Sequence, residues 1–248
     1  MGINTYNESS LHKTLKKLYS LEEGSKTEVN LNGYIYDIVT SKNKVIEIQT
    51  GNLAKLLPKI KDTLKKSMPI KVVYPLVIEK YILLKDENGE IISKRKSPKK
   101  ENLYSLFKQL TGIYSILLEK NFCLEVVMIK AIEERIRTKE NVQSANKKRR
   151  FKKNWLKTNK ILKEISSTKA FSHASDYLNF LPKNIPQNFT VKDVQNAIKN
   201  EIGLKEQKEA GVMIWLFTKM NIIESHEKKG KAKMYSVVNK KAALIAKN

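Results

Sequence analysis

The sequence contains very little cysteine and histidine, and this scarcity excludes several kinds of chemistry. Cys123 is the single cysteine among 248 residues, so the sequence offers neither an internal disulfide nor a cysteine-based zinc site. The three histidines, His12, His173 and His226, are far apart and lack the spacing of a zinc site. Glycine-rich nucleotide loops and a G-x-S-x-G motif are also missing, which argues against ATP hydrolysis, dinucleotide chemistry and serine hydrolysis.

Long apolar runs and acidic residues are scarce as well. No apolar run reaches the roughly 18–20 residues of a membrane span, and the N-terminal MGINTYNESS has no signal-peptide pattern, so we expect a cytoplasmic protein without a membrane partner. Lys and Arg number 48 against 25 Asp and Glu, a formal net charge of +23. This excess favours nucleic acid as the partner. An anionic membrane surface, or the Lys bias of AT-rich genomes, is the alternative explanation.

The first 135 residues have the periodicity of an α/β domain with a mixed sheet. Leucines at helical spacing predict a helix over Ser9–Leu21. A second helix should begin at Asn52, which can cap it, and Pro58 should kink or split that helix. Asn102–Glu119 predicts a third, amphipathic helix. The predicted strands are Thr27–Leu31, Tyr34–Val39, Lys44–Gln49, Ile70–Tyr74, Glu79–Leu84, Glu90–Lys94 and Leu124–Ile129.

The remaining residues predict a basic linker and a second, smaller domain. The run KKRRFKK at 147–153 marks a linker or arm over residues 136–156. In the domain predicted over 157–248, helical periodicity resumes at Trp155–Ile165. Thr190 should cap a short helix that reaches Ile198, and Leu204–Met220 predicts a longer one. Residues 222–238 then predict a hairpin with a basic tip.

Two acidic residues come together if the hairpin between the second and third strands is tight. When its turn is symmetric about Lys42, residues equidistant from Lys42 face each other, so Asp37 lies opposite Glu47 with Cβ atoms about 4.5–5.5 Å apart. Gln49 shares the face of Glu47 because side chains alternate along a strand. A bound Mg²⁺ would relieve the repulsion between the two carboxylates. The alternative is that both acids simply face solvent on a half-exposed sheet.

Asp37, followed after nine residues by Glu47-Ile48-Gln49, resembles the core motif of the PD-(D/E)XK (restriction-endonuclease-like) nucleases. The predicted order of a helix, an acid-bearing hairpin, a helix and a parallel strand is also similar to that core, over about residues 5–130. Two features depart from the family pattern: Gln49 stands where a lysine is usual, and no proline precedes Asp37. The C-terminal region resembles a winged helix-turn-helix domain in the order of its elements.

The first resemblance implies catalytic and metal-binding roles for particular residues. Asp37, Glu47 and the Ile48 carbonyl would hold Mg²⁺ or Mn²⁺, and Gln49 would orient the attacking water. Lys55, or in its place Lys59, would supply the positive charge that Gln49 lacks. An additional acid is expected near the first helix. Glu8 is the preferred candidate, with capping or solvated charge as its alternative role, and Glu22, Glu23 and Glu28 compete with it.

The basic elements would contact the nucleic acid. The alternative is that they are merely solvated loops. The winged-helix resemblance implies a recognition helix within Leu204–Met220 and a basic wing at residues 228–233. The residues expected to contact DNA are Lys94, Arg95, Lys96, Lys99, Lys100, Lys147, Lys148, Arg149, Arg150, Lys205, Gln207, Lys208, Lys228, Lys229, Lys231 and Lys233.

Together these features predict a metal-dependent DNA endonuclease. Restriction, mobile-element or defence, and repair roles all fit, and cleavage of both strands would need a homodimer or two successive nicks. The alternative is a non-catalytic DNA-binding protein with a degenerate nuclease fold, and RNA as the substrate is not excluded.

Overall fold

The computed structural model describes residues 9–31, 33–144, 147, 149–203 and 206–238. Their Cα atoms cluster into two compact units that alternate along the chain. The first unit comprises the described residues of Met1–Gly51, Met68–Asn102 and Glu125–Lys169. The second comprises those of Asn52–Ser67, Leu103–Leu124 and Ala170–Asn248.

The larger of the chain's sheets has seven strands within the described residues and is mixed, as predicted. Strands β1 to β3 form an antiparallel meander, β3 and β4 run parallel, and β5 pairs antiparallel with β4. The strands are β1 (Lys26–Leu31), β2 (Tyr34–Val39), β3 (Val45–Ile48), β4 (Ile70–Lys85), β5 (Ile91–Lys96), β6 (Phe122–Val142) and β7 (Lys153–Phe171), in the spatial order β1-β2-β3-β4-β6-β7 with β5 beside β4.

Helix α1 (Ser10–Tyr19) covers part of this sheet, because its leucines recur on one face. Ser9 caps it by accepting a hydrogen bond from the His12 amide at 3.4 Å. Leu11 and Leu15 are fully buried and belong to one hydrophobic cluster with Ile38 of β2 and with Ile46 and Ile48 of β3. Burial of each such side chain stabilises the fold by about 1.5–3 kcal/mol. The predicted helix and three-strand order are therefore confirmed at the level of elements.

The second predicted helix is split, as the position of Pro58 suggested. A 3₁₀ turn over Leu53–Leu56 precedes α2 (Leu57–Lys65), and Pro58 lies in the first turn of α2. Proline costs no helical hydrogen bond there, since amides of the first turn have no partner within the helix. Asn52 caps the 3₁₀ turn by accepting from the Ala54 amide at 3.0 Å.

The predicted helix Asn102–Glu119 is instead a series of short turns in the second unit. It divides into a 3₁₀ turn over Leu103–Leu106, α3 (Phe107–Leu110) and a 3₁₀ turn over Tyr114–Ile116. Gly112 lies between the last two and packs closely on Ala54, so that a Cβ added at Gly112 would lie 2.6 Å from the Ala54 Cβ. This close approach requires glycine and ends the helix.

The prediction of a helix over Trp155–Ile165 is wrong. These residues belong to β7, which lies beside β6 in the sheet. Lys157, Lys160 and Lys163 recur every three residues and so imitate the polar face of a helix, but pairing with β6 overrides this weak pattern. Consequently, residues 136–142 and 153–156 of the predicted linker lie in strands.

The rest of the second unit contains the two later predicted helices and the predicted hairpin, preceded by a short helix, α4, that was not predicted. Its elements are α4 (Ala174–Leu178), α5 (Val191–Glu201), a 3₁₀ turn (Glu206–Glu209), α6 (Ala210–Lys219), β8 (Ile223–Lys229) and β9 (Ala232–Val237). Thr190 caps α5 as predicted, accepting from the Asp193 amide at 3.2 Å. Phe107, Phe180 and Phe217 form an aromatic core, with the rings of Phe107 and Phe180 5.0 Å apart. None of the helices in the described residues combines the length and hydrophobicity needed to cross a membrane.

Candidate functional site

The β2–β3 hairpin has the register that the sequence predicts. Ile38 pairs with Ile46, and Val39 with Val45, so each pair is equidistant from Lys42. Continued by one residue, this register places Asp37 opposite Glu47.

The two carboxylates occupy the space between the strands at this point. The Asp37 amide donates a hydrogen bond to Glu47 Oε1 at 3.1 Å, and the Ile48 amide donates to Asp37 Oδ2 at 2.8 Å. Each carboxylate therefore accepts a hydrogen bond from a backbone amide of the other strand, which in a regular antiparallel ladder would bond to a backbone carbonyl. Glu47 is only 4% exposed, so this pair is held inside the sheet rather than in solvent, and the solvent-facing alternative does not describe it.

Helix α1 supplies two basic side chains to this pair. His12 Nε2 lies 3.4 Å from Asp37 Oδ2, and Lys16 Nζ lies 4.0 Å from Asp37 Oδ1. Burial by itself raises the pKa of Asp37, but hydrogen bonds from His12 and the Ile48 amide, with the positive charges of His12 and Lys16, hold the pKa below its usual value. Asp37 is therefore ionised at neutral pH despite its burial.

Sequence reasoning missed His12 and Lys16. They stand four residues apart, so they share one face of α1 one turn apart, and that polar spacing was the available signal. Lys16 also forms an ion pair with Glu28. The pairs Thr27–Ile38 and Val29–Tyr36 place Glu28 of β1 opposite Asp37 of β2. Among the competing extra acids, Glu28 is thus connected to the site through Lys16, whereas Glu22 and Glu23 are exposed after α1.

The donor atoms at this pair suit a hard cation such as Mg²⁺. Such a cation is often held by one or two carboxylates, with water and substrate phosphate completing its shell. The Ile48 amide points toward β2, and the carbonyl of the same residue in an extended strand points the same way, which suits the predicted third ligand. Within the described part of the chain, no group of three or more His, Cys, Asp or Glu side chains has a metal-binding arrangement.

The other predicted catalytic residues are less closely connected. Gln49 follows β3 and is half-buried, and its backbone amide donates a hydrogen bond to the Val73 carbonyl at 2.9 Å. Lys55 is exposed in the Leu53–Leu56 turn and Lys59 lies on α2, both in the second unit. Glu8 lies outside the described residues.

The predicted basic loop after the hairpin is exposed. Lys94, Arg95 and Lys96 lie on β5 and all are exposed, as are Lys99 and Lys100 beyond it. Lys96 forms an ion pair with Glu79, and Lys99 Nζ lies 3.4 Å from Glu101.

Three arginines of the first unit, Arg135, Arg149 and Arg150, lie over aromatic rings, and of these only Arg150 is exposed. The Arg149 guanidinium lies 4.0 Å from the centre of the Trp155 ring and donates to the Val142 and Trp155 carbonyls at 3.2 and 3.1 Å. Arg149 therefore links β6 to β7. This is a structural role, in addition to the contact with DNA that the sequence predicts. Arg150 and Lys147 are exposed, and Lys148 lies outside the described residues.

The predicted DNA-contacting residues of the second unit lie around its turn and hairpin. Gln207 is half-buried and Lys208 is exposed in the 3₁₀ turn, not in an α-helix, while Lys205 lies outside the described residues. Helix α6 buries Met213, Ile214 and Phe217 and carries Lys219 as its single charge. Lys228, Lys231 and Lys233 are exposed on the hairpin, where the backbone of Lys229 pairs with Ala232.

A comparison with family models identifies a family for this chain, without an activity. A family model described as "Domain of unknown function (DUF8091)" matches residues 9–172. A protein of Treponema pallidum (strain Nichols), described as an uncharacterized protein, is 28% identical over 238 residues, which are 95% of this chain and 87% of that protein. No solved structure matches the chain.

Proposed function

The chain belongs to the family described as a domain of unknown function (DUF8091). From Asp37 and Glu47, which we call the acid pair, we propose that it is a metal-dependent endonuclease acting on DNA. The observation that carries this proposal is the placement of Asp37 and Glu47 on facing positions of β2 and β3, each held by an amide of the other strand.

The arrangement of elements around the pair supports the same proposal. Helix α1, the β1–β3 meander, the intervening α2 and the parallel strand β4 follow in the order of the restriction-endonuclease-like core. The net charge of +23 provides attraction for a phosphate backbone. In the second unit, three short helices followed by a basic hairpin, with Phe189 pairing with Tyr235, support the winged-helix proposal.

The side chains at the pair have distinct proposed roles. Asp37 and Glu47 hold the cation, which lowers the pKa of a bound water and stabilises charge on the scissile phosphate. Gln49 orients the attacking water as a hydrogen-bond partner. Lys16, 4.0 Å from Asp37, supplies near the pair the positive charge that Gln49 lacks. The charge expected from Lys55 or Lys59 is thus also available from α1.

The test compares cleavage of plasmid DNA in Mg²⁺ or Mn²⁺ by the wild-type protein, Asp37→Asn and Glu47→Gln. These substitutions keep an oxygen that can accept from the facing amide and remove only the charge. We expect each to lower the cleavage rate at least about a hundredfold, as loss of a group that stabilises transition-state charge does. Asp62→Asn is the matched control, since Asp62 lies on α2 and pairs with Lys66 just after that helix, and it should cleave at the wild-type rate. Equal cleavage by all four proteins would remove the proposed site.

A non-catalytic DNA-binding protein is the second candidate, and a specific observation favours it. His12 and Lys16 already neutralise Asp37, which is the role that a metal would otherwise have, and Gln49 replaces the usual lysine. Tight binding of DNA without cleavage of duplex DNA, single-stranded DNA or RNA in either metal would support this candidate over the nuclease.

A further inference from the structure

A second polar cluster lies in the first unit, lined mainly by lysines. It is a cavity of about 90 Å³ whose lining includes Lys80, Lys99, Lys157, Lys160, Glu101 and Glu133. Three neighbouring strands form it: β4 supplies Lys80, β6 supplies Glu133, and β7 supplies Lys157 and Lys160. We refer to these six residues as the lysine cleft.

One wall of the lysine cleft is fixed by backbone hydrogen bonds. The segment after β5 carries Lys99 and Glu101. The Ser97 amide donates to the Lys80 carbonyl at 2.7 Å, and the Glu101 amide donates to the Val77 carbonyl at 3.2 Å. The segment is thereby joined to β4 at two points. The cleft is therefore built by the fold and does not depend on a free loop.

The positive charges in the lysine cleft are not fully compensated. Lys80 pairs with Glu133 at 2.8 Å, and Lys99 lies 3.4 Å from Glu101. Glu133 is also bound by Arg135 from outside the cleft. Among the described residues, the ammonium groups of Lys157 and Lys160 form no ion pair or hydrogen bond.

The pKa of Lys160 reflects this excess of positive charge. Burial, followed by the charge of Lys157, lowers the pKa of Lys160 to about 8, and Lys80 acts in the same direction. Glu101 and Glu133 oppose the shift but do not cancel it. A half-buried ammonium without a partner is destabilising unless an anion binds beside it.

We propose that the lysine cleft is a phosphate-binding site, with Lys157 and Lys160 as the side chains that contact the phosphate. The cavity has about three times the ~30 Å³ that one water molecule occupies, which suits a single phosphate group better than a larger ligand. Lysine ammonium groups form strong charge-assisted hydrogen bonds to phosphate oxygens. The phosphate comes either from a nucleic-acid strand or from a free phosphate compound.

The test measures binding of inorganic phosphate to the full chain by calorimetry in metal-free buffer. Lys160→Met and Lys157→Met remove one charge each while keeping an apolar chain of similar length. Lys153→Met is the matched control, because Lys153 is exposed on the same strand outside the cleft. We expect the dissociation constant to rise about tenfold in each cleft variant, as for loss of one charge-assisted hydrogen bond, and to be unchanged in the control.

Proton uptake provides a readout that a merely structural role would not change. At pH 8 about half of the Lys160 side chains are neutral in the free protein, so phosphate binding should draw in about half a proton more in the wild type than in Lys160→Met. Calorimetry in two buffers of different ionisation enthalpy measures this difference. Equal uptake in the two proteins, or equal weakening in Lys153→Met and Lys160→Met, would overturn the proposal.

A parallel titration with a short oligodeoxynucleotide identifies the source of the phosphate. If Lys160→Met binds both the oligodeoxynucleotide and inorganic phosphate more weakly than the wild type, the site belongs to the nucleic-acid backbone. If it binds only inorganic phosphate more weakly, the site belongs to a free phosphate compound. Both outcomes support the site. The binding test involves no metal and no cleavage, so a negative result would not affect the proposal for the acid pair. In the same way, a negative cleavage test would not affect the proposal for the lysine cleft.

Discussion

The acid pair and the lysine cleft lie in the same unit, and they hold their charges in different ways. At the acid pair, each carboxylate accepts a hydrogen bond from a backbone amide, and His12 and Lys16 approach Asp37. In the lysine cleft, Glu133 is held by two cations while Lys160 is left without an anion. The carboxylates of the first cluster therefore have partners within the protein, whereas for the second we propose a phosphate as the missing partner. This difference can be tested residue by residue.

The largest expected effect on stability comes from removing the charge of Glu133, the more buried of the two acids in the lysine cleft. Burial would raise the pKa of Glu133, but the hydrogen bonds and charges of Lys80 and Arg135 lower it to about 2. Because this folded-state pKa lies below the ordinary 4.5, Glu133 stabilises the protein above about pH 4.5, and the contribution is lost as the pH falls toward 2. Glu133→Gln should therefore lower the free energy of unfolding at pH 7 by about 3 kcal/mol.

Denaturant unfolding of Glu133→Gln and wild type at pH 7 and at pH 3 checks this prediction. The difference in stability should shrink at the lower pH. Glu101→Gln, which also lines the cleft, should lose less than about 1 kcal/mol, since its partner Lys99 is largely exposed. A difference for Glu133→Gln that does not change with pH would show that the effect is packing and not charge.

A smaller effect of opposite sign is expected from removing the charge of Lys160, one of the two lysines of the cleft without an ion pair among the described residues. Lys160 loses its proton near pH 8 in the folded protein and near 10.5 when unfolded, so between these values the unfolded chain binds more protons and stability rises with pH. Lys160→Met should raise the free energy of unfolding at pH 7 by on the order of 2 kcal/mol. The gain should diminish between pH 8 and 10.5, as unfolding curves at both ends of that range would show. Destabilisation at pH 7 would mean that Lys160 is paired in solution.

The acid pair should respond more weakly to loss of one charge. Asp37→Asn keeps an oxygen that accepts from the Ile48 amide but removes the attraction to His12 and Lys16. We expect a loss of about 1 kcal/mol at pH 7. Because the pKa of Asp37 is lowered, the loss should disappear as the pH falls below the ordinary value of 3.8. Thermal unfolding in metal-free buffer measures it, and a variant more stable than wild type would show uncompensated repulsion between the acids.

The smallest effect concerns metal affinity. Lys16 lies 4.0 Å from Asp37 and therefore repels a cation bound there. Lys16→Met should tighten Mn²⁺ binding about three- to fivefold, the effect of one partly exposed charge. Lys13→Met, an exposed position on the same helix, should leave the affinity unchanged. Calorimetric titration with Mn²⁺ distinguishes the two variants, and weaker binding by Lys16→Met would contradict the expected repulsion between Lys16 and the cation.

The sequence predicts those parts of the molecule that depend on neighbouring residues. The facing of Asp37 and Glu47 follows from a three-residue turn, and the cap at Thr190 follows from its own helix. By contrast, residues 155–165 of β7 have a helical periodicity that predicts a helix, and only pairing with β6 decides that they form a strand. His12, Lys16 and the lysine cleft were also missed, since these side chains meet residues that are distant in sequence.

The alternation of the two units along the chain has a consequence for folding. Phe107 packs on Phe217 in the second unit, and β7, ending at Phe171, borders the larger sheet. Neither core can be completed until most of the polypeptide has left the ribosome. Contacts this distant in sequence slow folding, because a long loop must close before they form. A fragment cut after residue 135 would lack β7 and should not reach the native state.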